Sequence, residues 1–274
     1  MSANARPAAR PTPPSRDLTI VVACYMEEGH LAASIRELRA TLDATGLDYE
    51  LLFVEDCSTD GTAAIVRELV AGDPRSRAIF HAQNVGRGGT VTEGFLAAQG
   101  RIVGFLDIDL EVHCRYIPDM LAAIDRGYDG ATAFRNYTVG WRPAGIIRHI
   151  LSRGYRRLFR MTFDVPFRDP ETGYKFFRRD RILPVVTRTQ DKGWFWDSEI
   201  MILAHLAGLK VVELPTRFER RADKQTTVRI FRDVLRYLKA MAKFRRRLRR
   251  EGDALRVPAP APLAEPVEEE SFAK

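Results

Sequence analysis

The chain has 274 residues, of which 45% are hydrophobic, and its formal net charge is +7. This composition is typical of a packed globular protein and excludes collagen-like, coiled-coil and wholly disordered classes. Cys24, Cys57 and Cys114 form no paired motif, so we expect neither a disulfide framework nor a zinc site, and a reducing, cytoplasmic compartment. No apolar run approaches the roughly 18 residues of a transmembrane helix, so we expect no membrane span and no export signal.

Both ends of the chain are rich in proline and poor in large apolar side chains. Residues 1–16 are therefore predicted to form a disordered Pro/Arg-rich tail, and residues 251–274 a disordered Pro/Glu-rich tail. Residues 217–250 carry fourteen Lys and Arg side chains against three acids, a local net charge of +11, which exceeds the net charge of +7 of the whole chain. Such asymmetry indicates an anionic partner near the C-terminus: lipid head groups, nucleic acid or phosphates.

Between the tails, short β-rich runs alternate with amphipathic helical patterns, which is typical of βαβ units. The predicted strands are residues 18–23, 50–54, 77–81, 102–106, 130–134 and 210–214. The predicted helices are residues 29–43, a segment opening at residues 60–62, and residues 194–204. The predicted fold class is therefore α/β, with a mostly parallel, mixed central sheet flanked by helices.

Asp107 and Asp109 follow the apolar strand at 102–106 and are one residue apart. In an extended chain, side chains two residues apart point the same way, so these carboxylates are expected to converge, with Glu111 continuing the alternation. Hard oxygen ligands of this kind suit Mg²⁺ or Mn²⁺. The alternative is an ordinary strand-end turn with solvated acids.

Acidic or glycine-rich loops follow four predicted strands, at residues 27–28, 55–56, 86–89 and 107–111. Ligands of open α/β sheets bind beyond the carboxyl ends of the strands, so these loops should meet at one edge. The acids at 55–56 could accept hydrogen bonds from a base or ribose, whereas Asp60 and Thr62 are explained by helix capping. The glycine loop at 84–90 could wrap backbone amides round a phosphate, although it is not G-x-G-x-x-G.

The order of these pieces resembles the family 2 inverting glycosyltransferases, and most closely the branch of dolichol-phosphate mannose synthase and related polyprenyl-phosphate glycosyltransferases. The resemblance covers residues 18–227. Its pieces are residues 21–28, 55–62, 84–94, 107–111, Arg135, 169–175, Glu199 and 220–224. It implies a GT-A fold, which is a Rossmann-like nucleotide-binding fold, and a nucleotide-sugar donor bound through a metal ion at the Asp-x-Asp motif.

The resemblance also implies roles for individual residues. Glu28 and Asp56 would contact the nucleoside, and Asp107, Asp109 and Glu111 would organise Mg²⁺ or Mn²⁺. The wider nucleotide-sugar site would include Ala23, Tyr25, Glu55 and Asp107. Arg135, Arg220 and Lys224 would neutralise donor and acceptor phosphates, for which the planar fork of Arg is well suited.

Several positions depart from the family pattern. The family usually has Pro and Asn where residues 23–24 and Met26 stand, and Asp and Gly where Glu55 and Cys57 stand. It often has Gln at the position of Glu111, and its usual Gly-Lys-Ser-Lys is absent from residues 223–226. These differences bear on the identity of the donor more than on the class of reaction.

The implied reaction displaces a nucleoside diphosphate from the anomeric carbon with inversion, with Asp109, Asp169 and Arg135 as catalytic candidates. A polyprenyl phosphate acceptor is already an anion, because phosphate monoesters have a second pKa of about 6, and it needs no general base. A sugar hydroxyl would need a carboxylate base, for which Asp169 and Asp197 are the candidates. A further alternative is a nucleotide-sugar sensor without catalysis.

Two basic amphipathic segments, residues 146–161 and 228–248, are predicted to contact a membrane. The alternative for both is a core-facing apolar stripe with a solvated charged face. We expect a glycosyltransferase domain at 17–227 and a basic helix at 228–250, attached peripherally to the inner face of the membrane or through a membrane partner subunit. No recognised nucleic-acid motif is present, so we expect no nucleic-acid partner.

Overall fold

The computed structural model describes residues 14–136, 159–219 and 230–256. Its seven-stranded sheet has the order β3-β2-β1-β4-β6-β5-β7. The strands are β1 (Arg16–Cys24), β2 (Tyr49–Glu55), β3 (Ser76–Phe80), β4 (Gly100–Leu106), β5 (Gly130–Asn136), β6 (Tyr174–Arg178) and β7 (Val211–Arg217). β6 runs antiparallel to both of its neighbours, and the other pairings are parallel. The carboxyl ends of the other six strands therefore lie at one edge, and β6 begins at that same edge.

Helices flank the sheet on both faces. They are α1 (Leu31–Asp43), α2 (Thr62–Ala71), α3 (Arg87–Ala97), α4 (Ile117–Asp125), α5 (Arg179–Val186), α6 (Trp196–Leu206) and α7 (Ile230–Leu255). One core cluster joins the sheet to α1, α2 and α4, and a second joins its other face to α3, α5, α6 and α7. Strands buried on both faces are typical of sheets with parallel pairing, and all seven residues of β2 are buried.

The predicted strands and helices are confirmed to within a few residues, and the first strand begins at Arg16, inside the predicted N-terminal tail. The strand β6 was missed. Its sequence, Tyr-Lys-Phe-Phe-Arg, does not alternate between polar and apolar residues, because Phe176 and Phe177 are buried on opposite faces of the sheet. Lys175 beside them is also fully buried, which sequence patterning does not anticipate.

The basic helix α7 is present and extends to Leu255, five residues beyond its predicted end. Within its described side chains, Met241 and Phe244 belong to the core cluster, and the Phe244 ring lies 5.7 Å from that of Phe195. The Tyr237 hydroxyl lies 2.6 Å from Ser198 Oγ. Of the predicted stripe, Met241 is therefore buried in the core and Leu238 is partly buried against it, whereas Leu235 is 58% exposed, and contact of the stripe with lipid stays a prediction.

In the described parts of the chain, no helix has the length and apolar character needed to cross a membrane. The first predicted membrane-contact segment, residues 146–161, falls mostly outside the described residues. Residues 1–13 and 257–274, which make up most of the two predicted tails, also lie outside them.

Candidate functional site

The loops that follow β1 and β2 are joined by hydrogen bonds at the carboxyl edge of the sheet. The Asp56 amide donates to the Cys24 carbonyl at 2.9 Å, and the Met26 amide donates to Ser58 Oγ at 3.2 Å. Glu28, one of the predicted nucleoside contacts, accepts a hydrogen bond from the Gly61 amide through its carboxylate. The predicted meeting of these loops is observed.

Glu55 and Asp56 are buried, and both carboxylates are engaged by donors of the protein itself. Glu55 accepts from the amides of residues 57 and 58 at 3.2 and 2.7 Å. Asp56 accepts from the Val85 and Gly86 amides at 2.7 and 2.9 Å. These acids therefore set the shape of the loops after β2 and β3, and their contact with a nucleoside stays a prediction.

His81 extends the Asp56 interaction toward the surface. Its Nδ1 lies 2.7 Å from Asp56 Oδ1, and its Nε2 lies 2.9 Å from Glu93 Oε2. Burial alone would lower the pKa of His81, but its hydrogen bonds to the two carboxylates raise the pKa above the ordinary histidine value. The His81 ring thus bridges two acids at the end of β3, and its protonated form can donate to both.

Three loops at this edge each contain one non-glycine residue in the left-handed region: Met26 (φ 59°), Cys57 (φ 57°) and Leu110 (φ 55°). Such residues are uncommon and cluster at functional sites, where surrounding structure holds them in place. Tyr25, next to Met26, is about half exposed, and Ala23 is partly buried at the end of β1. The loops at this edge of the sheet thus hold defined backbone conformations, and Tyr25 beside them is accessible to solvent.

The Asp-x-Asp motif differs in geometry from the prediction. β4 ends at Leu106, and residues 107–110 form a turn that is closed by the Leu110 amide donating to the Asp107 carbonyl at 3.1 Å. The expected strand alternation is therefore wrong, because the chain turns before Asp109. Asp109 Oδ1 accepts from the Glu111 amide at 3.2 Å.

The carboxylates of Asp107, Asp109 and Glu111 are not gathered within 4.8 Å of one another as a set of three. Among the described residues, the set that meets this distance is Glu37, His113 and Cys114. In that set the His113 ring is already bonded, through Nε2 to Glu37 and through Nδ1 to the Arg115 amide.

The donor set at the motif still fits a divalent cation. Asp107 is 46% exposed and Asp109 is partly exposed, so carboxylate oxygens face the open edge. Mg²⁺ and Mn²⁺ need only one or two protein carboxylates when diphosphate oxygens and water complete the shell.

Arg87, at the start of α3, connects this motif to the interior. Its guanidinium donates to Asp107 Oδ1 at 2.5 Å and to the buried carboxylate of Asp197. It also lies 5.2 Å from the centroid of the exposed Trp194 ring. Burial alone would lower the pKa of Arg87, but Asp107 and Asp197 raise it above its ordinary value.

Asp197 continues the chain of charges to Lys175, whose Nζ lies 3.3 Å from Asp197 Oδ1 and donates to the Thr172 carbonyl. Both side chains are almost fully buried. Burial raises the pKa of the Asp197 carboxyl and lowers the pKa of the Lys175 ammonium, against the pull of their ionic partners. The signs alternate from the exposed Asp107 through Arg87 and Asp197 to Lys175, so the ionised group of four has no net charge.

Sequence reasoning identified the loop that holds Arg87 but not the role of the side chain. Its partner Asp197 is 110 positions away, and only the packing of α6 against α3 brings the two together. The signal available in the sequence was the position of Arg87 inside the glycine loop. Gly173 belongs to the same arrangement, since a side chain there would overlap Asp107 and Arg87.

A second ion pair joins β5 to the loop before β6. Arg135 donates to Asp169 through Nε at 2.8 Å and through Nη2 at 2.7 Å, and its amide donates at 3.0 Å. The Asp169 amide donates in turn to Glu213 of β7 at 2.8 Å. Burial alone would raise the pKa of Asp169, but Arg135 lowers it below the ordinary aspartate value. Because β6 is antiparallel, a loop that precedes a strand reaches the functional edge.

The other predicted phosphate ligands, Arg220 and Lys224, lie outside the described residues. Glu199, which the family pattern includes, is almost fully buried. It accepts from the Gln190 and Asp191 amides and from Arg247 Nη1 of α7 at 3.0 Å. Burial raises the pKa of Glu199 in spite of these donors. Its observed contacts tie α7 to the domain.

Comparison of the sequence with known proteins identifies its family. Residues 19–183 match the family described as Glycosyl transferase family 2. The chain is 31% identical over 238 residues to glycosyltransferase AglD of Haloferax volcanii. This alignment covers 84% of this chain and 37% of that protein. It is 26% identical over 218 residues to dolichyl-phosphate beta-glucosyltransferase of Saccharomyces cerevisiae, covering 72% of this chain and 65% of that protein. The chain thus spans less than two thirds of the length of either relative.

A solved structure supports the fold. Glucosyl-3-phosphoglycerate synthase from Mycobacterium tuberculosis, in complex with Mn²⁺, UDP-glucose and phosphoglyceric acid, aligns with a TM-score of 0.62 at 18% identity. The alignment covers 84% of this chain and 80% of that one. The family match extends over more than half of the sequence, and the chain therefore belongs to glycosyl transferase family 2, with the α/β GT-A fold that its motifs predicted.

Proposed function

We propose that this protein transfers a sugar from a nucleotide-sugar donor, GDP-mannose or a UDP-sugar, to a polyprenyl phosphate carrier. The donor would lie across the carboxyl edge of the sheet, in contact with Ala23, Tyr25, Glu28, Glu55 and Asp56. The names of relatives support this acceptor class, since one of them acts on dolichyl phosphate. Another relative is named as an undecaprenyl-phosphate sugar transferase.

The observation that carries the acceptor assignment is the state of the two candidate bases. Asp169 is held by a bidentate pair with Arg135, which lowers its pKa, so it is a weak acceptor for a proton. Asp197 is buried between Arg87 and Lys175. A phosphate acceptor brings its own negative charge and needs neither of these groups, whereas a sugar hydroxyl needs a base.

Asp107 and Asp109, with Glu111 next along the chain, would hold Mg²⁺ or Mn²⁺ together with the donor diphosphate. When bound, the cation would stabilise the negative charge that develops on the leaving group. Arg87 lies against Asp107 and would add a fixed positive charge beside the diphosphate. Arg135, Arg220 and Lys224 would neutralise the remaining phosphate charge.

The acceptor is a membrane lipid in this proposal, so the protein would work at the inner surface of a membrane, directly or through a membrane partner subunit. Since Met241 and Phe244 of α7 are buried in the core, contact of this part of the helix with lipid would be electrostatic and would use its solvent face. The exposed cations there include Lys239, Lys243, Arg245, Arg246, Arg249 and Arg250. Each basic residue near an anionic bilayer surface contributes on the order of 1 kcal/mol of attraction.

The test offers the purified chain Mn²⁺ or Mg²⁺, a short polyprenyl phosphate and a panel of GDP- and UDP-sugars, with mass spectrometry of the lipid. We expect one donor to give a glycosylated lipid phosphate. Asp109→Asn should lower the rate at least about a hundredfold, because it weakens a metal contribution of several kcal/mol. The exposed Asp119→Asn is the control and should retain full activity. Transfer that survives in Asp109→Asn would contradict the proposed metal site.

A further inference from the structure

A cleft of about 390 Å³ lies between α7 and residues 190–199. This volume is within the range of roughly 300–1,000 Å³ that is usual for small-molecule sites. Its lining is of two kinds. Phe195, Phe244 and Ala240 supply apolar surface, and five cations, Lys192, Lys243, Arg246, Arg247 and Arg250, supply charge.

The carboxylates that line the cleft are already engaged. Glu199 accepts from two backbone amides and from Arg247, and Asp191 Oδ1 accepts from the Gly193 amide at 2.8 Å. Among the described residues, Lys192, Lys243 and Arg246 have no carboxylate within ion-pair distance. The cleft therefore holds an excess of positive charge that the described part of the protein does not neutralise.

The spacing of these cations along α7 concentrates the charge. Lys243 and Arg247 are four residues apart, as are Arg246 and Arg250, and like charges at this spacing destabilise a helix. Glu251 relieves part of the repulsion by pairing with Arg247 and Arg250 at 3.0 and 2.6 Å. An anion in the cleft would relieve the rest.

A flat cationic face is enough to attract any anionic membrane, but a concave cationic site selects a group that protrudes and has high charge density. A terminal phosphate has these properties, because it offers three acceptor oxygens and a charge of about −1.5 to −2. The apolar part of the lining suits the hydrocarbon that follows such a phosphate in a lipid. The solvent face of α7, which is rich in exposed cations, continues from the cleft.

We propose that this cleft binds the terminal phosphate of a membrane lipid. The inference deepens the membrane part of the proposed function and rests on it. The loop that lines the cleft also supports the donor side, because the Gly88 amide donates to the Lys192 carbonyl at 2.9 Å and Trp194 lies against Arg87. A lipid phosphate held here is thus next to the first turn of α3, which carries Arg87.

The test measures flotation of the full chain with phosphatidylcholine vesicles that contain either phosphatidic acid, with a terminal phosphate, or phosphatidylserine, at matched zeta potential. We expect the parent protein to prefer phosphatidic acid. The cleft variant Lys243→Gln/Arg246→Gln should lose this preference, and its binding to phosphatidic acid should fall about thirtyfold, since each cation contributes about fivefold.

The matched control is Lys239→Gln/Arg245→Gln, which removes the same charge from exposed positions of α7 that do not line the cleft. It should weaken binding to both lipids equally and keep the preference. An unchanged preference in the cleft variant, or an equal loss of preference in both variants, would overturn the inference. Stabilisation of the parent protein by inorganic phosphate without any vesicle preference would assign the cleft to a free anion and overturn the lipid assignment.

The vesicles contain neither donor nor polyprenyl phosphate, so flotation is independent of sugar transfer. If transfer fails while the preference depends on the cleft, only the proposed reaction is wrong. If transfer succeeds while no preference is found, only the cleft inference is wrong.

Discussion

The acids on the two sides of the candidate site have different kinds of hydrogen-bond partner. On the side of β2 and β3, Glu55 and Asp56 accept hydrogen bonds mainly from backbone amides, so they fix the course of the loops. On the side of β4 and β6, Asp169 and Asp197 pair with buried or half-buried cations. The first group determines the shape of the loops and the second determines the charge beside them, while Asp107 is exposed and Asp109 partly exposed at the open edge of the sheet.

The largest expected effect is on the charged side. Asp197→Ala would leave Lys175, which is fully buried, without its carboxylate. Removing one partner of a buried pair typically costs about 3–5 kcal/mol, and we expect a loss of this size in the free energy of unfolding measured with urea. The control Asp125→Ala removes an exposed pair with Arg101 and should cost less than about 1 kcal/mol. Equal losses would show that the buried chain of charges has no special role.

The next effect is on the shape-determining side. Asp56→Ala would leave the Val85 and Gly86 amides without their carboxylate. A hydrogen bond to a charged group is worth about 1.5–3 kcal/mol, and because both of these bonds are only partly buried, water can replace part of what the two contribute. We expect a loss of about 2–3 kcal/mol in urea unfolding, together with faster amide exchange at both positions. Unchanged exchange would mean that Asp56 does not order this loop.

The contribution of His81 should depend on pH. Its pKa is raised in the folded state, so its stabilising effect is fully present below the unfolded value of about 6.5 and is lost as pH rises through the folded pKa. At low pH the free energy of unfolding of the parent protein should therefore be about 1 kcal/mol larger than that of His81→Gln. This difference should shrink as the pH rises. Urea midpoints at several pH values test this. A difference that grows with pH would contradict the assigned pKa direction.

The smallest effect concerns backbone strain. Cys57 adopts φ 57°, which costs a non-glycine residue about 1–2 kcal/mol, whereas glycine adopts it freely. The flexibility of glycine in the unfolded chain offsets about 0.5–1 kcal/mol, so Cys57→Gly should stabilise the protein by no more than about 1 kcal/mol. Cys114→Gly, at a buried position without positive φ, is the control and should destabilise it. If both variants lose stability equally, the strain at Cys57 is negligible.

The parallel strands could be predicted from the sequence, because apolar runs and the turn-forming residues between them are local signals. Prediction failed where structure depends on distant partners. In the sequence, Lys175 is part of a motif that was assigned to a loop. In the structure it lies inside β6 and pairs with Asp197, which is 22 residues further along the chain. At residues 107–110 a turn, closed by the Leu110 amide donating to the Asp107 carbonyl, replaced the expected alternation. The amphipathic pattern of α7 was visible in the sequence, but the packing of its Met241 and Phe244 against the core was not.

The acceptor class is tested by comparing two lipids that differ only in the reacting group. A short polyprenyl phosphate and the corresponding polyprenol are offered with the donor identified by the panel and with Mn²⁺, and the lipid product is measured by mass spectrometry. Because the candidate bases are paired or buried, we expect sugar transfer to the phosphate and none to the alcohol. Glycosylated polyprenol formed at a comparable rate would show that a base acts at this site and that the acceptor assignment is wrong.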